Sequence, residues 1–83
     1  MFFIYILRSK QTQRYYVGST ENVDERLVQH NSGKSISTRA GVPWELIYTE
    51  HFETRSDAVL RERKIKGRGI ARYLSDVQKP ETG

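Results

Sequence analysis

Two tyrosines near the N-terminus, Tyr5 and Tyr16, an arginine and a histidine one helical turn apart, Arg26 and His30, and a glutamate, Glu62, form a set with chemical potential. Hydrolysis of a phosphodiester needs a base for water, cations on the phosphate and help for the leaving oxygen. Glu62 suits the last need, because a single carboxylate with waters can hold Mg²⁺. Arg26 suits the second, since a guanidinium grips phosphate oxygens in pairs. A tyrosine serves as the base only if its pKa of about 10 falls, as neighbouring positive charge would make it do. Each residue also has a plainer reading. Inward tyrosines are usually core aromatics with a bonded hydroxyl. Arg26 is most often a surface ion-pair donor, His30 a core histidine, and Glu62 a partner for Arg26. Spacing alone leaves both readings open.

Glu62 stands out because of where it falls in "DAVLRERKIK" (57–66). At about 100° per residue, Ala58, Val59 and Ile65 share one arc of a helix, with Glu62 among them. Long charged residues fill the other side. It is therefore the only acid this helix aims inward.

The elements that must position these groups are legible from periodicity. "FFIYILRS" (2–9) is apolar on both alternating faces and reads as a strand covered on each side. "RYYVGST" (14–20) is β-branched and aromatic, so the two runs form a hairpin with a loop of about five residues. Gly18 inside the second strand marks a bulge, a close backbone approach or a plain strand end. "ENVDERLVQHNSG" (21–33) is helical, with Asn22 and Glu25 spaced as a capping box and Gly33 as its stop. Val23, Leu27 and His30 lie on one arc, with Arg26 at its edge. "SGKSISTRAG" (32–41) has no periodicity and reads as a mobile loop. "VPWELIYTEHF" (42–52) alternates Trp44, Leu46, Tyr48 and Phe52 against polar residues, a third strand. A helix from Thr54 or Ser56 to about Lys66 is interrupted by Gly67 and Gly69. A last helix over 70–77 carries Ile70, Tyr73, Leu74 and Val77. The expectation is an α+β fold, a three-stranded antiparallel sheet flanked by helices in the order β-β-α-β-α-α. It occupies residues 1–75 as one domain, with 76–83 a disordered tail.

Composition narrows the chemistry. The chain has 83 residues and no cysteine, which excludes disulfides, thiolate-bound zinc, iron–sulfur clusters and thiol catalysis. Its two histidines repeat no zinc spacing. No run approaches the roughly 18 apolar residues of a membrane span, and no signal-peptide pattern opens the chain, so a soluble, cytoplasmic protein is expected. "GRG" follows a helix rather than a strand and is no phosphate loop. The net charge is +4, and "RERKIKGRGIAR" (61–72) holds six basic residues and one acid. That patch favours nucleic acid over membrane, although a solvated helix face would carry similar charge.

With these residues placed, the sequence resembles a GIY-YIG domain, the fold of a broad group of nucleases, and most of all the small stand-alone bacterial proteins of that type. "FIY" (3–5) stands for the first triplet and "YVG" (16–18) for the second. "ERLVQHN" (25–31), "STR" (37–39), "PWELIYTEHF" (43–52) and "DAVLRERKIK" (57–66) follow in the family's order. Phe3 replaces the first glycine, and no asparagine follows Glu62. The resemblance implies metal-dependent cleavage of a DNA backbone. Tyr5 would be the base candidate, Tyr16 would line the site, and Arg26 and His30 would contact or polarise the phosphate. Glu62 would ligate Mg²⁺ or Mn²⁺, and Gly18 would leave room that a side chain would crowd. Arg39, Arg61, Lys64, Lys66, Arg68 and Arg72 are the basic residues expected against nucleic acid. With no second domain for targeting, branched or nicked DNA and a partner protein are the expected associations. A non-catalytic nucleic-acid-binding module that keeps the shape of the site is the alternative. A protein-interaction domain with a basic face is a third.

Overall fold

The structure is a computed structural model that describes residues 1–78. Three antiparallel strands, β1 (Phe2–Ser9), β2 (Tyr15–Thr20) and β3 (Trp44–Phe52), form one sheet in the order β2-β1-β3. The most apolar run therefore becomes the central strand. Ile4, Tyr5, Ile6 and Leu7 are all buried, as a strand covered on both faces requires. Helix α1 (Val23–Asn31) follows β2, and α2 (Arg55–Arg68) and α3 (Ile70–Gln78) follow β3. The expected element order and sheet are those observed.

Side chains of successive strand residues point to opposite faces, so β1 builds two cores. On one face Ile4 and Ile6 pack with Val17, Ala58, Ile65, Tyr73 and Leu74, under α2 and α3. On the other, Tyr5 and Leu7 pack with Trp44, Tyr16, Val23 and Leu27, beneath α1. β3 does not keep to one face. Its pairing with β1 slips between Ile6 and Leu7, where Leu7 faces Leu46 but Ile6 faces Tyr48. The extra residue, Ile47, reverses the parity of the strand. Trp44 and Leu46 thus share the face of Leu7, whereas Tyr48, Glu50 and Phe52 share the face of Ile4 and Ile6. The expected single apolar stripe on β3 is split in two, because an insertion of one residue leaves no trace in the alternation.

The helix ends follow local chemistry. Asn22 accepts the Glu25 backbone N–H at 3.0 Å and Thr54 accepts that of Asp57 at 3.1 Å. The reciprocal half of the capping box is replaced, since Glu25 accepts from the Gln29 amide at 3.4 Å. Helix α2 runs through Gly67, two residues past its expected end, and stops where Gly69 takes φ +98°. A glycine inside a helix costs about 1 kcal/mol relative to alanine, which tertiary packing overrides. Helix α3 reaches Gln78, three residues into the stretch read as a tail. The rest of that stretch, 79–83, lies outside the described residues.

The segment expected to be a mobile loop is tied down. It contains a short 3₁₀ turn, Arg39–Gly41, and its bonds run to three parts of the molecule. Thr38 bonds His30 at 2.8 Å, the Thr38 carbonyl accepts the Trp44 indole N–H at 2.8 Å, and the Ser9 hydroxyl donates to the Gly41 carbonyl at 2.6 Å. The Trp44 ring also lies over Gly41, where a Cβ would come within 2.3 Å of it. Among the described residues, no helix is long and apolar enough to cross a membrane.

Candidate active site

Tyr5 occupies the middle of the central strand, paired with Gly18 on β2 and Thr49 on β3. Its ring lies across Gly18, whose absent side chain is a steric requirement. A Cβ there would stand 2.6 Å from the Tyr5 hydroxyl oxygen and 2.8 Å from Cζ. Of the three readings of Gly18, close approach is the one observed. From α1 comes His30, buried, with Nε2 3.0 Å from the Tyr5 hydroxyl and Nδ1 2.8 Å from Thr38 Oγ1. Tyr16 completes an aromatic cluster, its ring centroid 4.9 Å from that of His30 and 6.3 Å from that of Tyr5.

Arg26, one turn before His30, brings its guanidinium against the Tyr5 hydroxyl, which holds the arginine more firmly in its charged form. Its Nη1 donates to Gln29 at 3.2 Å, and its Nε is buried with no acceptor. Such an orphan donor costs on the order of 1–3 kcal/mol in an apolar setting. It is the kind of vacancy an anionic oxygen fills.

Burial raises the Tyr5 pKa, with the nearby Tyr16 and Glu62 adding to the rise; Arg26 opposes it. The lowered phenol pKa expected for a base is therefore not found, because desolvation of the phenolate outweighs one guanidinium. Burial, then Arg26, lowers the His30 pKa and keeps its ring neutral. A neutral imidazole has one donor and one acceptor. When Nδ1–H donates to Thr38, Nε2 is left to accept the Tyr5 O–H. The three side chains then form one hydrogen-bonded line.

Glu62 sits on α2 one turn beyond buried Ala58 and near enough to Tyr5 to raise its pKa. Its carboxylate side chain is 20% exposed and is bridged at 2.8 Å by Lys66, one turn on. The pairing with Arg26 that the plainer reading of Glu62 offered is not the one formed. Among the described residues no group of three or more His, Cys, Asp or Glu surrounds a cation position. A hard cation that takes one carboxylate, water and substrate phosphate fits this donor set, whereas an all-protein cage does not.

Arg26 opens on a cleft formed by the start of β1, the end of β2 and the first turns of α2; Tyr16 borders another with Thr38 and Trp44. The structure brings Tyr5, Tyr16, Arg26 and His30 together with Glu62 near Tyr5; Arg26 and Tyr16 line clefts, whereas Tyr5 and His30 are buried and line neither.

The basic patch is more divided than its composition suggests. Lys64 and Arg72 are exposed. Lys66 is bound to Glu62, Arg68 forms a forked pair with Asp76 at 2.9 and 3.2 Å, and exposed Arg39 donates to the Gly33 carbonyl at 3.0 Å. Arg61 turns away from solvent to Glu50 and to the Tyr73 hydroxyl, both at 2.8 Å, with its guanidinium over Phe52. Tyr48 and Tyr73 also donate to Glu50, so this acid on the α2/α3 face holds three donors. Burial raises the pKa of both phenols, and Glu50 adds to it. Sequence reading missed Glu50 as a second inward acid, although it shares the parity of Tyr48 and Phe52. It also missed Thr38, which no periodicity marks, and Asn31, whose amide clasps the Trp44 backbone at 2.6 and 3.0 Å.

The sheet and the helix order are those of a GIY-YIG catalytic domain, a class that suggests nuclease-type activity. The family model described as the GIY-YIG catalytic domain matches residues 1–73, and the chain belongs to that family. A UPF0213 protein of Natronomonas pharaonis is 38% identical over 65 residues, covering 77% of this chain and 75% of that protein. One from Staphylococcus saprophyticus is 35% identical over 65 residues, covering 77% and 78%. The solution structure of a UPF0213 protein from Bacillus halodurans superimposes with a TM-score of 0.58 at 29% identity, covering 98% of this chain and 89% of that one.

Proposed function

We propose that this protein is an endonuclease that hydrolyses DNA phosphodiester bonds with one divalent cation, Mg²⁺ or Mn²⁺. The observation that carries the reading is the Tyr5 hydroxyl, held over Gly18 between neutral His30 and the Arg26 guanidinium. Arg26, with its buried orphan Nε, binds the scissile phosphate and fills its vacancy with a phosphate oxygen. Tyr5 orients the attacking water and passes its own proton to His30 Nε2 as it takes one from the water. This route needs no preformed phenolate, which suits a tyrosine whose pKa is raised. Thr38 fixes the imidazole tautomer, and Tyr16 shields the cluster on its open side. Glu62 would hold the cation, which supplies positive charge against the phosphate and the departing oxygen.

Nicked or branched DNA is the substrate we favour, since the described fold is occupied by the candidate site and its two supporting cores. Targeting then falls to a partner protein. The test is incubation with nicked, branched and continuous duplex DNA, with Mg²⁺, with Mn²⁺ and with chelator. Cleavage that needs the metal and vanishes in a folded Tyr5→Phe variant is expected. Full activity of Tyr5→Phe removes Tyr5 from the proton route. A second reading, a nucleic-acid-binding module without catalysis, draws on Lys66, which already neutralises Glu62. Binding without cleavage under every metal condition selects it.

A further inference from the structure

The cleft reached by Arg26 has more in it than the proposed reaction uses. Its volume is about 260 Å³, and its walls are Phe2, Ser19, Thr20, Glu21, Arg26, Arg55 and Ala58. Arg55 is the first residue of α2 and stacks its guanidinium 5.4 Å above the Phe2 ring. That contact holds a long, otherwise exposed side chain in place, with its hydrogen-bond donors unspent among the described residues. The Ser19 hydroxyl on β2 likewise has no partner there. Thr20 is spent, since its hydroxyl is bonded to the Asn22 backbone at 3.1 and 3.3 Å. Glu21 is exposed and contributes the only negative charge on the rim.

Helix geometry ties this cleft to the candidate active site. Arg55, Ala58 and Glu62 recur at helical spacing on one stripe of α2. Arg55 lies about 10 Å along the axis from Glu62, at about 1.5 Å per residue. Arg26 faces the Tyr5 hydroxyl and lines this cleft as well. A strand whose scissile phosphate rests on Arg26 would pass its next stretch of backbone over Ala58 toward Arg55.

We propose that this cleft is a second phosphate subsite, in which Arg55 and the Ser19 hydroxyl bind a backbone phosphate of the nucleic acid beside the one held by Arg26. This rests on the nucleic-acid reading given above. The ligand class is a phosphodiester on a polynucleotide chain. Arg55 supplies charge and a planar fork, Ser19 one neutral donor, and the Phe2 ring fixes the direction of the fork. Glu21 repels a strand displaced outward and so narrows the approach.

The test is anisotropy of a fluorescent nicked duplex in chelator, so that binding is read without cleavage, over a series of salt concentrations. Arg55→Gln is expected to weaken binding three- to tenfold at low salt and to reduce the salt slope by roughly one phosphate contact. Arg63→Gln, which removes the same charge from a neighbouring cleft that Arg55 also borders with Val59 and Leu60 but that lies outside this one, should change affinity less than twofold. Ser19→Ala should weaken binding two- to threefold with no change in slope. Equal effects of Arg55→Gln and Arg63→Gln overturn the subsite, because charge alone would then account for both. If Arg55→Gln does not fold, Arg55→Lys and Ser19→Ala decide the matter. Each should bind at least twofold more weakly, and unchanged affinity in both overturns the proposal. Wild-type protein that binds no nucleic acid at low salt sinks the reading of the whole site, a different failure from loss of the subsite alone.

Discussion

At the scale of residues, the site is built from close contacts that can be broken singly. Gly18→Ala places a methyl group 2.6 Å from the Tyr5 hydroxyl oxygen. The ring is buried and cannot swing clear, so the expected loss is about 1–3 kcal/mol, as for other overpacked cores. Urea denaturation measures it, and a wild-type midpoint would show that Tyr5 has room to move. His30 yields a pH dependence. Its folded pKa is depressed, so the unfolded chain binds more protons once the pH drops toward and below the unfolded value of about 6.5. The stability from a neutral buried His30 is present in full above that value and is lost as pH falls through the folded one. His30→Gln should flatten this part of the stability profile; an unchanged profile would mean that His30 is not held neutral. Glu62 and Lys66 form a pair whose lysine is 58% exposed, a class usually worth about 0.3–0.5 kcal/mol in helices. Glu62→Gln should therefore leave stability within about 0.5 kcal/mol of wild type and abolish the heat of Mn²⁺ binding in calorimetry. Destabilisation with Mn²⁺ binding intact would make the acid a structural ion.

At the scale of elements, the Tyr5–His30 cluster depends on a segment with no periodicity. Residues 32–43 carry Thr38, which anchors His30 and, through its carbonyl, the indole of Trp44. Thr38→Val keeps the volume but removes the hydroxyl, leaving one nitrogen of a buried imidazole without a partner. The expected cost is about 1–3 kcal/mol, measured by denaturation, together with slower cleavage, because the imidazole loses the contact that sets its tautomer. Unchanged stability would mean that water replaces the hydroxyl. This segment also marks where sequence reasoning reached its limit. Strands and helices were legible because burial imposes periods of two and 3.6 on Ile4, Ile6, Val17, Ala58 and Ile65. Tyr5, Arg26, His30 and Glu62 were legible as polar groups at positions that should face inward. Thr38 and Asn31 act through hydrogen bonds across long sequence separations, which impose no period. The bulge at Ile47 was equally silent, and with it the transfer of Glu50 to the α2/α3 face.

At the scale of the molecule, the sheet separates two tasks. Its α1 face holds Tyr5, Tyr16 and His30, whereas its α2/α3 face holds the larger apolar core and the Glu50–Arg61–Tyr73 network. The basic residues of 61–72 are divided by the same logic, although composition presents them as one patch. Arg61 belongs to packing. Its alanine variant would leave the Glu50 carboxylate without its cation and the Tyr73 hydroxyl without a donor. The two charged side chains are 32% and 21% exposed, so solvent screening reduces the buried-pair cost to about 1–3 kcal/mol. Lys64 and Arg72 are exposed and carry little of the fold. Arg61→Ala is therefore expected to lower the denaturation midpoint and leave the salt slope of nucleic-acid binding as it is. Lys64→Gln with Arg72→Gln should do the reverse, with stability within about 0.5 kcal/mol and a slope smaller by one to two phosphate contacts. Both variants can be measured by denaturation and by anisotropy under identical buffer conditions. A reduced slope for Arg61→Ala at full stability would return Arg61 to the binding surface and divide the cations differently. The expected pattern ties charge that stabilises the fold to the sheet face away from Tyr5, and charge that attracts a polyanion to the outer surface of α2 and α3.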